Sequence, residues 1–121
     1  MKRPFALLAL GSLAFWRCEP TIYCDLAFHS VGFSWLDTTT TPTRIIPVVV
    51  ETQDTLTNNF TSIFPAFTVV SDEHQSYFFQ KTYHVMVYVL DSTGNILIDS
   101  QYIITADECH IQKISGPEYL P

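Results

Sequence analysis

No stretch of this chain is long enough to cross a bilayer as a helix, and the familiar catalytic signatures are missing. The longest apolar run free of charge covers residues 4–16, short of the roughly 20 residues needed to span the hydrocarbon core. There is no H-E-x-x-H, no G-x-x-x-x-G-K-[ST] and no G-x-G-x-x-G, so zincin, P-loop and dinucleotide-binding chemistry lose their usual sequence support. Basic residues are scarce, six against twelve acidic ones, a balance that repels nucleic acid and anionic head groups. After residue 17 no window of twelve residues carries the apolar stripe of an amphipathic helix.

Lys2 and Arg3 precede the apolar run, and a short basic segment followed by an uncharged apolar one is the layout of a secretory signal. The chain therefore reads as a signal peptide over residues 1–17 and a single domain over residues 18–121, too short for two well-cored units. Loss of the signal removes Lys2, Arg3 and Arg17, leaving three basic residues against twelve acidic ones, a net charge of −9. Apolar residues are spread along the whole remainder, so it is expected to fold and to be soluble.

Three cysteines are an odd number for an exported chain, and the leftover one needs an explanation. Cys18 stands just past the apolar run, where a bacterial lipoprotein carries the acylated cysteine that becomes its mature N-terminus. Lipid attachment at Cys18 leaves Cys24 and Cys109 as a disulfide pair. Phe15, Trp16 and Arg17 are bulkier than the residues usual before such a cysteine, whereas Ser12 and Ala14 form an ordinary cleavage site. Plain secretion with a cut after Ala14 is the competing fate.

The rest of the chain has strand rhythm. Ile22, Cys24, Leu26 and Phe28 alternate with Tyr23, Asp25, Ala27 and His29, which predicts a half-buried strand up to a bend or end at Gly32. Phe33 to Leu36 continue as extended chain before the Thr/Pro loop of residues 38–43. Ile45 to Glu51 is rich in β-branched residues and carries Pro47, and the apolar stretch Ile63 to Val70 carries Pro65. Proline favours edge positions, where its missing N–H is tolerated. Tyr77 to Leu90 alternates with apolar residues on both sides and predicts a central strand. Residues 91–95, reading DSTGN, form the clearest hairpin turn, followed by a returning strand from Ile96 to Thr105. A last strand runs from Cys109 to Ser115, with Gly116 and Pro117 closing the domain. Short strands, frequent turns and no helix predict an all-β fold: a small antiparallel β-sandwich of about six or seven strands after the signal.

Residues 83–117 resemble the C-terminal half of small β-sandwich lipoproteins of Bacteroidota-type bacteria, whose domains are similar to immunoglobulin-like and transthyretin-like (carboxypeptidase regulatory-like) modules. The likeness lies in the D-x-x-G hairpin at Asp91 to Gly94, the D-E-C-H block at Asp107 to His110, and the closing S-G-P at Ser115 to Pro117. It implies a non-enzymatic cell-envelope lipoprotein, outer-membrane or periplasmic, tethered to the membrane through an N-terminal lipid. It also places the cysteine of the D-E-C-H block in a disulfide. A protein or glycan partner at the envelope is the expectation, and a secreted carbohydrate-binding or adhesion module is the alternative.

Candidate chemistry is thin. Asp107, Glu108 and His110 form one group of ligand-type side chains, and Asp72, Glu73 and His74 another. Neighbours on a strand point to opposite faces, so neither group presents three ligands to one ion without help from elsewhere. Both are read as solvated acidic turns, with no metal and no cofactor expected. The run Gly32, Phe33, Ser34, Trp35 begins like a nucleophile elbow but has Leu36 where glycine is required, so no catalytic residues are assigned. Asn59, Phe60 and Thr61 form an N-x-T acceptor sequence. Among many aromatics, Trp35 and Phe60 are flanked by polar loop residues and are the first candidates for exposed ligand-binding side chains.

Overall fold

A computed structural model describes residues 23–58 and 63–121. Among these residues seven strands lie in two sheets, the all-β sandwich that the strand rhythm predicts: β1 (Ser30–Trp35), β2 (Arg44–Val49), β3 (Ala66–Ser71), β4 (Tyr83–Leu90), β5 (Ile96–Ala106), β6 (Ile111–Ser115) and β7 (Tyr119–Leu120). One sheet has the order β3-β1-β7, the other β2-β4-β5-β6. β2 and β3, the strands associated with Pro47 and Pro65, are both edges, and β4 is central. No helix among the described residues is long and apolar enough to cross a membrane.

The core forms where the two inner faces meet. Val31, Phe33 and Trp35 of β1 alternate inward, as do Val85, Val87 and Val89 of β4, with Phe67, Tyr102, Ile104 and Leu120 between them. Each of the three β4 valines is wholly buried and contributes about 1.5–3 kcal/mol relative to an exposed side chain. Alternation breaks where the ladders break. A register shift pairs Val31 with Val70 and Gly32 with Thr68, so β3 carries one extra residue and its last three residues are all buried. A second shift beside Val89 gives β5 one extra residue, Leu97, and the adjacent Leu90 is buried outside the main core.

Turn chemistry matches the sequence around Asp91, whose Oδ1 accepts hydrogen bonds from the Thr93 hydroxyl at 2.7 Å and from the N–H groups of Thr93 and Asn95 at 2.9 and 3.0 Å. Gly94 takes the positive φ, +86°. Asp37 organises the loop after β1 in the same way, accepting from the N–H and hydroxyl of Thr39. These bonds hold the carboxyls of Asp37 and Asp91 below the ordinary value of 3.8, and the bond from His84 does the same for Glu51 relative to 4.5. A carboxyl depressed by folding adds stability above its unfolded pKa and loses it as pH falls through the folded value. The urea midpoint of the protein is therefore expected to decline below about pH 4, and Asp91→Asn to make that decline shallower. An unchanged pH profile in Asp91→Asn would count against the role of this turn.

Four expectations are corrected. Residues 23–29 are not a strand: Tyr23, Leu26 and Phe28 are exposed. The cause is the end of the neighbouring ladder, because β3 stops at Ser71 opposite Ser30 and the chain then coils, so β3 does not continue alongside residues 23–29. The polar break after Ser71 is a 3-10 turn, Asp72–His74, followed by the short helix α1, Gln75–Phe78. Its Phe78 is fully buried, so β4 begins only at Tyr83. Gly116 and Pro117 do not close the domain, since β7 follows and pairs parallel with β1. Trp35 is the fourth, taken up below.

Candidate functional site

One end of the sandwich gathers most of the ligand-type side chains. Three segments meet there: residues 23–29 before β1, the 3-10 turn after β3, and the turn joining β5 to β6. The last of these is the D-E-C-H block. Asp107 Oδ1 accepts from the N–H groups of Cys109 and His110 at 2.8 and 2.7 Å, and the Asp107 N–H donates to the His110 carbonyl at 3.0 Å. These N–H donors hold its carboxyl below the usual carboxylate range. The turn projects Cys109 toward Cys24, and the two form a disulfide with Cα atoms 5.3 Å apart.

Asp72 is the hub. Its Oδ2 accepts from the His29 N–H at 2.8 Å and lies 2.7 Å from His110 Nδ1, while its Oδ1 accepts from the Ile111 N–H at 3.0 Å. The Asp72 N–H in turn donates to the His29 carbonyl. One side chain thus ties the segment before β1 to the start of β6. Burial works against the charged form of Asp72, but the donors from His29, His110 and Ile111 outweigh it and leave the carboxyl below its ordinary value.

On its other side His110 Nε2 lies 2.7 Å from Asp25 Oδ1, and the His29 ring stacks on the His110 ring with centroids 3.8 Å apart and planes within 6°. His29 Nε2 is 3.9 Å from the same Asp25 oxygen. Asp72 and His110 are largely covered, at 13% exposure each, whereas Asp25 and His29 are open at 63% and 44%. The Asp72 carboxylate raises the His110 imidazole above its ordinary value, against partial burial, and Asp25 adds to the rise. Beside this cluster an open groove of about 750 Å³ runs between β1 and β6, lined by His29, Phe67, Lys113 and Tyr119.

No protein-family model, no curated protein and no solved structure matches the chain. The residues must speak for themselves.

The two acidic groups expected from sequence fare differently. Asp72 and His110, drawn from different groups, meet directly, with Asp25 and His29 supplying the help from elsewhere that neither group had alone. His74 is spent on structure: its Nδ1 accepts from the Ser71 N–H at 3.2 Å and its Nε2 lies 2.8 Å from the Thr57 carbonyl. The expectation that Trp35 is exposed is wrong. It is 5% exposed, at an inward position of β1, and its Nε1–H donates to the Thr40 carbonyl at 3.1 Å. The loop that follows it in sequence folds back as its hydrogen-bond partner. Phe60, the N-x-T sequence at Asn59 and the lipid-attachment candidate Cys18 lie outside the described residues. Ser34 sits within the regular strand β1 rather than at a strand-to-helix turn, so the elbow-like run has no elbow geometry.

Asp25 and His29 were missed because they fell on the polar side of an expected strand. A signal was present nonetheless. If Cys24 pairs with Cys109, then Asp25 and His110, the next residue after each, are forced into the same neighbourhood.

Proposed function

We propose that the chain is an exported, envelope-tethered β-sandwich with a non-enzymatic binding or scaffolding role. The observation that carries this is the Cys24–Cys109 disulfide, because such bridges form and persist in oxidising compartments and the signal-like residues 1–17 lead there. Cys18 precedes the bridge by only six residues, a reach of at most about 20 Å. Acylation of Cys18 would keep the Asp25, His29 and His110 end of the domain close to the bilayer. The alternative of a secreted carbohydrate-binding or adhesion module loses Trp35 as a stacking platform, since that ring is buried.

The test is the mature N-terminus. Full-length chain expressed in a diderm bacterium is expected in the membrane fraction with a diacylglyceryl group on Cys18 by intact mass, and Cys18→Ala is expected to abolish that mass. A soluble product beginning at Phe15 would overturn the tether. Specific retention on a glycan array would favour the secreted module.

A further inference from the structure

We infer that Asp25, His29 and His110 form a site for one divalent transition-metal ion of the zinc type, with Asp72 as the positioning residue that presents His110. The three side chains offer ligand atoms that all lie within 4.8 Å of one another. Bonds of about 2.0–2.1 Å in a tetrahedral arrangement set ligand atoms roughly 3.3 Å apart. Asp25 Oδ1 stands 2.7 Å from His110 Nε2 and 3.9 Å from His29 Nε2, each about 0.6 Å from that spacing, and the half-exposed His29 ring, which lies parallel to His110, has to turn out of that stack to aim its lone pair at the same ion. Asp25 is the most exposed of the three and sits outside any strand; its Oδ1 also accepts from the Ala27 N–H at 3.1 Å, a bond within the same exposed turn that moves with it.

The hydrogen bonding around His110 supports the same assignment. Asp72 is fixed as an acceptor by the N–H groups of His29 and Ile111, so the Nδ1 of a neutral His110 carries the proton and donates it to Asp72. The lone pair on Nε2 then points at another acceptor, Asp25 Oδ1, at 2.7 Å. Two electron pairs face each other unless a cation lies between them, and either a proton or a metal ion meets that need. His29 adds a second imidazole nitrogen where a proton has no use for one. A carboxylate orienting the far nitrogen of a ligating histidine is the usual outer partner of zinc sites. Two imidazoles and one carboxylate suit zinc and its neighbours, whereas calcium and magnesium take oxygen ligands. Three protein ligands leave the remaining position to water.

The disulfide prepares the site, since Asp25 and His110 each follow a bridged cysteine. Cys24 and Cys109 themselves are oxidised and take no part as ligands.

The decisive experiment is calorimetric titration of the oxidised mature protein with Zn²⁺, together with Co²⁺ binding followed by visible absorption. One ion per chain is expected, with the Co²⁺ spectrum of a four-coordinate nitrogen and oxygen site. His29→Ala leaves the Asp72–His110–Asp25 chain of contacts in place and is expected to weaken Zn²⁺ binding by about 100-fold, with Asp72→Asn costing about 10–100-fold. His84→Ala, which removes a histidine paired with Glu51, is expected to change nothing. Should His29→Ala fail to fold, Asp25→Asn, altered at a mostly exposed side chain, carries the same expectation. Absence of saturable one-to-one binding, or binding undiminished in His29→Ala or in Asp25→Asn, would overturn the site and leave the envelope reading untouched.

Discussion

Gly32→Ala is expected to destabilise the protein by about 3 kcal/mol or more, at the severe end of overpacking. A Cβ at this position would come closer than 3.0 Å to the carbonyl oxygen of Phe67, with the Phe67 carbonyl carbon at 3.1 Å and Thr68 Cα at 3.2 Å. All three obstacles are backbone of the paired strand, so no side chain can swing aside. The close approach arises at the bulge, where β3 holds one residue more than β1, and glycine is what lets the two backbones meet there. Yielding would separate β1 from β3 and loosen Phe33 from Phe67, whose rings stack at 5.4 Å. Gly94→Ala supplies the contrast. Its φ of +86° is unfavourable to alanine, but nothing lies within 4 Å, so a cost of only about 1–2 kcal/mol is expected. Urea denaturation of both variants checks the ranking, and a Gly32→Ala protein as stable as Gly94→Ala would refute the clash.

The double variant Cys24→Ser, Cys109→Ser is expected to lose about 4 kcal/mol on the chain-entropy account, which applies to a bridge of sequence separation 85. For a domain of this size that lowers Tm by roughly 15–30 °C. The effect has a local part as well. Residues 23–29 have no ladder, and besides the bridge they are held by Asp72 and His110; without it their exposed Tyr23 and Leu26 offer no burial in return. Replacing both cysteines avoids a reactive lone thiol. Thermal unfolding of the variant against the oxidised parent measures the difference, and a loss below about 1 kcal/mol would mean that the hydrogen bonds alone fasten this segment.

Strand identity was legible because alternation is a local property. Val85, Val87 and Val89 declare an inward face in sequence and occupy it in the structure, and the Asp91 turn follows from residues whose side chains cap their own backbone. What local reading could not supply was partnership. Ile22 to Phe28 alternate as well as any strand, yet whether they pair depends on where β3 ends, and β3 ends because Asp72 begins a helical turn. Trp35 departs from expectation for a related reason: the polar residues that follow it, Asp37 to Thr40, suggest solvent in sequence, whereas in the fold they wrap back and the Thr40 carbonyl accepts from the indole. The Asp72–His110 contact joins residues far apart in the chain and follows only from the assembled topology, with the disulfide as the one sequence feature that constrained it.

The parallel pairing of β7 with β1, Ser34 with Tyr119 and Trp35 with Leu120, bears on the timing of folding. β4, β5 and β6 are joined by short turns and can assemble in the order in which they emerge, but β1 must wait for β3 on one flank and β7 on the other. Contacts between such distant segments are slow to form. For a chain threaded N-terminus first through a translocation pore, the first strand to emerge is therefore among the last to be completed. Ser34 and Trp35 would wait on that flank until Tyr119 and Leu120 arrive.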